Sequence, residues 1–439
     1  MSPLLKLLLK IARIVGLFML ASHMTIVFMF SGLLLNALQF ILYMTLYNVN
    51  RNLYRKLNYY LIYFSWTQIL AVYEWRSNSS CTLYGDEVSI REFGKEHCII
   101  VMNHKYDIDW VVCWFITNHL KMLANSKTCA KKQLRNIPVI GWGWIFAEMI
   151  FLERSWDKDK LVLGEKLDKI VEYTDPIMLL LFCEGTRFTP EKHKASMEFA
   201  KTRNLPQLQH HLCPRTSGFN FIAKHCKNKI PYIYNIQLGF PETEKKPTFS
   251  NMLRGYKFNA DVFLERIPMS EVPTDTDEAL NKWLHDLYQK SKLVFSSITK
   301  HSVIDKLMDD YFKTEKFPGK CVPLKRSYRS LINSVFWAIV IGIPWIYSIY
   351  LVLTTGNFIL TTVVSSIFIL QFTAMFYMVK QTKASKGSSY GTTKKSSEEA
   401  NGAFTQKHSN GEFTHDSTRD SEVKGDDLTQ NSEQINNNL

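Results

Sequence analysis

Three long apolar runs free of Lys, Arg, Asp and Glu constrain this chain more than any other feature: 14–49, 331–353 and 357–379. A helix that crosses the ~30 Å hydrocarbon core of a bilayer needs about 20 residues, and each run meets that length. The first exceeds one straight span and contains no clear turn for two. It reads as one tilted span plus an interfacial helix, or as a re-entrant pair, with His23 and Asn36 as its most polar side chains. A cleaved signal peptide is disfavoured, because its apolar centre spans only about 7–15 residues. Between the other two runs, Thr354-Thr355-Gly356 predicts the turn of a helical hairpin, and Pro344 predicts a kink in its first helix. A shorter aromatic stretch at 59–73 predicts an interfacial helix. Such runs exclude a simple soluble enzyme and a wholly disordered chain. The charged, mixed middle of the chain excludes a many-span transporter.

The net charge is +13, and 51–330 alone carries an excess of eleven positive charges, whereas 381–439 is net −2. A basic middle suits a membrane surface or a phosphate-rich ligand. Nucleic acid would not explain the apolar runs and is not expected as a partner. The eight cysteines form no C-x-x-C pair, so no metal site is expected and the thiols read as reduced, in a cytosol-facing domain. After Lys380 the composition turns to Ser, Thr, Asn, Gln, Lys and Glu, which predicts a disordered tail.

Between about 85 and 310, short apolar runs end abruptly in polar clusters. The runs are 97–102, 147–152, 176–183 and 230–236. Continuous apolar strands of this kind are buried on both faces. Helix-like segments at 110–120, 157–173 and 278–293 lie between them. The alternation predicts an α/β domain with a mostly parallel or mixed central sheet flanked by helices. The expected organisation is an N-terminal span and interfacial helix over 1–75, the α/β domain over 76–315, a transmembrane hairpin over 331–379 and the tail over 380–439. Ligands of such sheets gather beyond the carboxyl ends of the strands, where this sequence places its most polar clusters.

The first cluster is Asn103-His104-Lys105-Tyr106-Asp107-Ile108-Asp109. On a regular helix, positions i and i+5 point about 140° apart. If His104 and Asp109 pair, His104 sits on the turn before a helix and Asp109 in its first turn. Asp109 then holds the imidazole Nδ1–H, and Nε2 is free to take a proton from a hydroxyl. No nucleophile elbow is present, so that hydroxyl belongs to the substrate. The alternative is a His that ends a strand beside an Asp that caps a helix. In Glu184-Gly185-Thr186-Arg187, Gly185 permits a sharp turn or close approach of a ligand, and Arg187 offers a fork of donors for phosphate. Glu184 either orients that Arg or receives a substrate hydroxyl; a plain surface turn is the alternative. Arg154, after the strand at 147–152, is a second phosphate ligand or a solvated charge. The stretch Pro138 to Trp144 lines an acyl groove, docks on the membrane or packs in the core. Arg215, in a basic turn, supports the phosphate site or belongs to a plain loop.

Taken in order, these strings resemble the glycerolipid acyltransferase family, and more narrowly 1-acylglycerol-3-phosphate acyltransferases of the gamma/delta type. N-H-x-x-x-x-D matches Asn103, His104 and Asp109, an apolar strand ending in Arg matches Phe151 to Arg154, and E-G-T-R matches Glu184 to Arg187. Cys213 to Phe219 is similar to the subfamily string L-P-R-T-x-G-F, with Cys213 in place of an aliphatic residue. Glu153 and Asn235 stand where relatives have Asp, which bears on substrate preference rather than on activity.

The resemblance implies a membrane-anchored acyltransferase that uses acyl-CoA as co-substrate, with no cofactor and no metal. Its acceptor would be lysophosphatidic acid, acylated at the sn-2 hydroxyl to give phosphatidic acid and CoA. His104 and Asp109 would be catalytic. Asn103, Arg154, Glu184, Gly185, Thr186 and Arg187 would bind substrate. The location implied is the endoplasmic reticulum membrane, multi-pass, with the catalytic domain facing the cytosol, so that Asn78 of the glycosylation sequon Asn78-Ser79-Ser80 is expected to be unmodified. Protein partners are not indicated. Rival expectations are a lysophospholipid acceptor with a larger head group, a silent membrane scaffold and a tethered hydrolase.

Overall fold

The structure is a computed structural model that describes residues 3–153, 155–241, 245–288 and 304–382. The tail expected from 380 onward lies, after Thr382, outside the described residues.

The first apolar run forms one unbroken helix, Pro3–Leu46, of 44 residues. No turn interrupts it, so the re-entrant pair is excluded. Its apolar part, Phe18–Leu46, is long enough to cross a membrane. Asn50 caps the next helix, Arg51–Ala71, by accepting from the Leu53 amide. The two helices run antiparallel and are pinned by buried polar pairs, Gln39 to Asn58 at 2.8 Å and Ser31 to Gln68 at 3.2 Å. The expected interfacial stretch falls in Arg51–Ala71 and the start of the π-helical Val72–Arg76, and it packs on the α/β domain: Trp66 is buried and stacks on Trp114 at 4.1 Å.

The expected C-terminal break is present. Helix Ile343–Thr355 ends at Gly356 in the left-handed region, and helix Phe358–Thr382 folds back so that Phe368 meets Trp345 at 5.1 Å. Pro344 cannot donate to the preceding turn, and a π-helical segment, Ala338–Gly342, stands immediately before it. Tyr328–Thr355 is also long and apolar enough to cross a membrane, and Phe358–Ala374 is apolar but shorter.

Eight strands form one mixed sheet: β1 Ser80–Gly85, β2 Cys98–Met102, β3 Ser126–Lys131, β4 Ile150–Leu152, β5 Met178–Leu181, β6 Tyr232–Gly239, β7 Asn259–Pro268 and β8 Lys320–Pro323. Their order is β4-β3-β5-β2-β6-β7-β1-β8. The neighbours are parallel except at β6/β7 and β1/β8. The sheet therefore takes in residues beyond 315. Strand β2 shows why the apolar runs are uninterrupted: Cys98, Ile100 and Met102 pack into the core on one face, Ile99 and Val101 into the core on the other. The four unexpected strands lack such runs. Strand β7 carries Asp261 and Glu265 inside the fold, held by Tyr311 Oη at 3.1 Å and Asn235 Nδ2 at 3.0 Å, and β3 buries Lys127. Strand β4 is shorter than expected because Glu148, at φ 55°, turns the chain after helix Ile140–Phe146.

Candidate active site

Parallel pairing sets Val101 of β2 opposite Leu181 of β5. The segments that leave these strands therefore start side by side, about 4.8 Å apart. Asn103 fixes the exit from β2. Its side-chain amide donates to the Leu238 carbonyl and accepts the Leu238 amide, each at 2.9 Å, so it mimics one more rung of the β2–β6 ladder. It is buried and does not line the cavity described below.

His104 lies in the turn, and Asp109 is the first residue of helix Asp109–His119. The His104 Nδ1 stands 3.0 Å from Asp109 Oδ2, which also accepts the Tyr106 amide at 3.0 Å. The irregular turn brings together two residues that a continuous helix would separate. A carboxylate acceptor places the imidazole proton on Nδ1 and leaves Nε2 as the basic nitrogen. The His104 ring stacks on Phe182 at 4.1 Å. A quarter of the His104 side chain is accessible, while Asp109 is buried. Burial pushes the Asp109 carboxyl above its ordinary range, and His104 and the neighbouring amides pull it back in part. Its Oδ1 has no hydrogen-bond partner among the described residues.

Glu184 is buried, and backbone amides take both of its oxygens: His104 N on Oε1 and Leu212 N on Oε2, each at 3.0 Å. It thus faces neither Arg187 nor the cavity. Arg187 is oriented instead by Asp107, whose second oxygen accepts the Phe249 amide at 3.0 Å. The two motifs are also joined by the Phe188 amide, which donates to the His104 carbonyl at 2.7 Å. Gly185 adopts φ +70°, and a Cβ there would lie 2.8 Å from Cδ of Arg215, so glycine suits both the left-handed backbone and the passage of Arg215. Thr186 Oγ1 accepts from Lys192 Nζ at 2.6 Å.

A cavity of about 390 Å³ opens at these strand ends. His104, Gly185, Thr186, Arg187, Lys192 and Arg215 line it together with Trp110, Trp114, Trp144, Met149 and Phe182. It also follows the opening between β3 and β5, which pair only from Ser126 to Thr128 before β3 continues along β4. Of the stretch expected to line a groove, Trp144 does so and Trp142 is exposed. Arg154 lies outside the described residues. An apolar cavity with cations and one basic nitrogen suits a ligand that combines a hydrocarbon chain with a phosphate.

Three contributors had no local signal in the sequence. Asp107 orients Arg187 across 80 positions, and Lys192 reaches the site from helix Pro190–Thr202. The third is a second His–Asp pair. His211 Nδ1 stands 3.0 Å from Asp305 Oδ1, and the Asp305 carboxylate also accepts the amides of Gln209 and His210 at 3.0 and 2.9 Å. Leu212, the next residue, holds Glu184. Asp305 on helix Ile304–Thr314 thereby clamps the loop that fixes Glu184, and through it His104.

The family described as Acyltransferase matches residues 81–233, and the family described as Acyltransferase C-terminus matches residues 251–296. The chain is 36% identical over 366 residues to 1-acyl-sn-glycerol-3-phosphate acyltransferase delta of Mus musculus, covering 83% of this chain and 92% of that relative. It is 35% identical over 366 residues to 1-acyl-sn-glycerol-3-phosphate acyltransferase gamma of Homo sapiens, covering 83% and 93%. Among solved structures, the 1-acyl-sn-glycerophosphate acyltransferase PlsC of Thermotoga maritima aligns at a TM-score of 0.34 and 17% identity, over 58% of this chain and 92% of that one. With four-fifths of its length aligned to the delta and gamma relatives at 35–36% identity, the chain belongs to the 1-acyl-sn-glycerol-3-phosphate acyltransferase family and is an enzyme.

Proposed function

We propose that the protein transfers an acyl group from acyl-CoA to the sn-2 hydroxyl of lysophosphatidic acid. The observation that carries this reading is the His104–Asp109 pair at a cavity lined by tryptophans and by Arg187. His104 Nε2 takes the hydroxyl proton as the oxygen attacks the thioester carbonyl. Asp109 keeps the imidazole in the required tautomer and stabilises the imidazolium. Collapse of the tetrahedral intermediate breaks the carbon–sulfur bond, and the departing thiolate recovers the proton from His104. The products are phosphatidic acid and CoA. A thioester is already activated, so no acyl-enzyme is needed. Arg187, and Arg154 by resemblance, hold the acceptor phosphate. In this reading Asn103 and Glu184 hold the backbone in place rather than contact the lipid, and Gly185 and Thr186 shape the rim.

The apolar helices support membrane association, and the resemblance supports the endoplasmic reticulum membrane with a cytosol-facing site. Detection of a glycan at Asn78 would contradict that orientation.

The test supplies labelled oleoyl-CoA and a panel of lysophospholipids to membranes carrying wild type or His104→Ala. Phosphatidic acid should be the main product of wild type and absent from the variant. Preference for another lysophospholipid would overturn the acceptor, and equal activity of the two proteins would overturn the role of His104.

A further inference from the structure

We propose that Arg55 and Glu148 are positioning residues for the transferred acyl chain, because they fix the turn that sets two residues of the cavity wall, Trp144 and Met149, against the first two helices. This rests on the acyl-transfer reading above and deepens it.

Trp144, in helix Ile140–Phe146, and Met149, just before β4, both line the cavity. The Met149 amide donates to the Trp144 carbonyl at 3.0 Å, so one backbone turn sets both side chains. Glu148 takes φ 55° in that turn. This left-handed conformation costs an L side chain energy and persists where the surroundings over-determine it. Here the surroundings are a set of donors. The Phe146 carbonyl accepts from Tyr54 Oη and Asn58 Nδ2, each at 2.7 Å, and the Ala147 carbonyl accepts from Lys127 Nζ at 2.8 Å. The Glu148 carboxylate accepts from Arg55 Nε at 2.8 Å, Arg55 Nη2 at 3.0 Å, Tyr173 Oη at 2.6 Å and Tyr47 Oη at 3.3 Å.

Four of these six side chains, Tyr47, Tyr54, Arg55 and Asn58, come from the second helix and the turn that precedes it. Helix Ile140–Phe146 also lies against the first helix: Val139 fills the space over Gly32, and Phe146 meets Phe40 at 6.5 Å. The place of Trp144 and Met149 is therefore set by helices outside the sheet. Stability alone does not account for the Arg55–Glu148 pair, since a buried pair replaced by apolar side chains of similar volume is often no less stable. A fully satisfied polar network instead gives one fixed geometry.

The wall serves the chain being transferred. In the proposed reaction the thioester carbonyl carbon bonds directly to the sn-2 oxygen held at His104. The acceptor's own acyl chain starts four bonds away from that oxygen. An apolar wall in the same cavity as His104 is thus nearer the transferred chain. A hydrocarbon is held by contact with apolar surface, and a small radial gap already forfeits a large part of that contact. The loss is confined to chains long enough to reach the wall.

The experiment compares wild type, Arg55→Met, Glu148→Met and the double variant as full-length protein in detergent micelles. Saturation curves are taken separately for oleoyl-CoA, hexanoyl-CoA and lysophosphatidic acid. Each single variant leaves a buried charge without its partner and should lower the unfolding midpoint, and the double variant should recover most of that loss. The double variant should still raise KM for oleoyl-CoA about fivefold and lower the preference for oleoyl-CoA over hexanoyl-CoA by about the same factor. Its kcat with oleoyl-CoA and its KM for lysophosphatidic acid should stay within about twofold. A recovered midpoint with wild-type constants would make the pair a stabilising feature alone and overturn the proposal. So would a fall in kcat shared equally by both acyl-CoAs, which places the effect at His104, or a rise in KM for lysophosphatidic acid alone, which assigns the wall to the acceptor. If the double variant fails to fold, Tyr54→Phe carries the test. It removes one of the two donors to the Phe146 carbonyl and should lower the same preference about twofold; an unchanged preference overturns the proposal. Binding is also read without turnover, as the shift of the unfolding midpoint by oleoyl-CoA in the absence of acceptor. That shift should be smaller in the double variant, and an equal shift overturns the proposal. An inactive wild type that shows this difference would overturn the acyl-transfer reading and leave the positioned wall standing.

Discussion

The pairs His104–Asp109 and His211–Asp305 each hold an imidazole Nδ1 3.0 Å from a carboxylate oxygen, yet their surroundings differ. His104 is a quarter accessible, lines the cavity and keeps Nε2 available. The His211 side chain is 1% exposed, and its Nε2 faces Gln237 Oε1 at 3.2 Å. Gln237 in turn donates to Asn235, and Asn235 donates to Glu265. The carboxylates differ too. Asp109 keeps one buried oxygen without a partner among the described residues, whereas Asp305 accepts three N–H groups. Burial pushes both carboxyls up. For Asp109 burial prevails. For Asp305 the bond from His211 and the amides of Gln209 and His210 outweigh it and leave the carboxyl below its ordinary range. The lesson is that pairing with a carboxylate does not by itself set what an imidazole can do: His104 keeps one nitrogen open toward a cavity, whereas the completed network around His211 makes a brace.

The comparison breaks most easily at the two imidazoles. His104→Ala should lower kcat about a thousandfold or more, read as phosphatidic acid formed per folded protein. His211→Gln should keep most of the activity per folded molecule; a comparable loss in both would end the distinction. Asp109→Asn is next. It should cost about a hundredfold or more in kcat by upsetting the tautomer of His104, with KM for either substrate little changed.

A finer test uses the same isosteric change at both carboxylates and reads stability. Ionised Asp109 weakens the fold at any pH above its raised folded pKa, so Asp109→Asn should raise the unfolding midpoint near neutral pH. Ionised Asp305 strengthens the fold. That contribution is fully present above the ordinary carboxylate pKa and is lost as pH falls through the lower folded value, below about pH 4. Asp305→Asn should therefore lower the neutral midpoint and flatten the loss of stability in acid. Asp305→Ala leaves three donors without their acceptor and should cost about 3 kcal/mol in denaturant unfolding. Midpoints that move in the same direction for both Asn variants would contradict the contrast.

The smallest expected effect is at Gly185→Ala. The φ of +70° and the approach of Arg215 should cost about 1 kcal/mol in stability. That loss is read as the shift of the denaturant unfolding midpoint, and an unchanged midpoint would show that the arginine moves aside at no cost.

How much was readable from the chain varies with the range of the interaction. Helix geometry required a turn between His104 and Asp109 if the two were to pair, but spacing left the pairing itself open, and the 3.0 Å approach of Nδ1 to Oδ2 closed it. The apolar strands β2, β5 and β6 followed from burial on both faces. The role of Glu184 did not follow, because its partners are backbone amides at positions 104 and 212, and backbone groups leave no mark on a sequence. The partner of Arg187 was not readable either: Asp107 is 80 positions away and is one acidic residue among many. Strand β7 was missed because Asp261 and Glu265 interrupt its apolar pattern, and only their buried partners Tyr311 and Asn235 make those carboxylates tolerable there.

The amino-acid sequence by itself determined the apolar helices and the doubly buried strands. Each depends on periodicity or on a few neighbouring residues. Only the tertiary structure decided that β5 lies beside β2, that Asp305 braces the loop behind Glu184, and that Arg215 passes over Gly185. Those outcomes depend on strand order and on contacts between segments about 30 to 100 positions apart, where the free energy belongs to the assembled sheet rather than to any one stretch of chain.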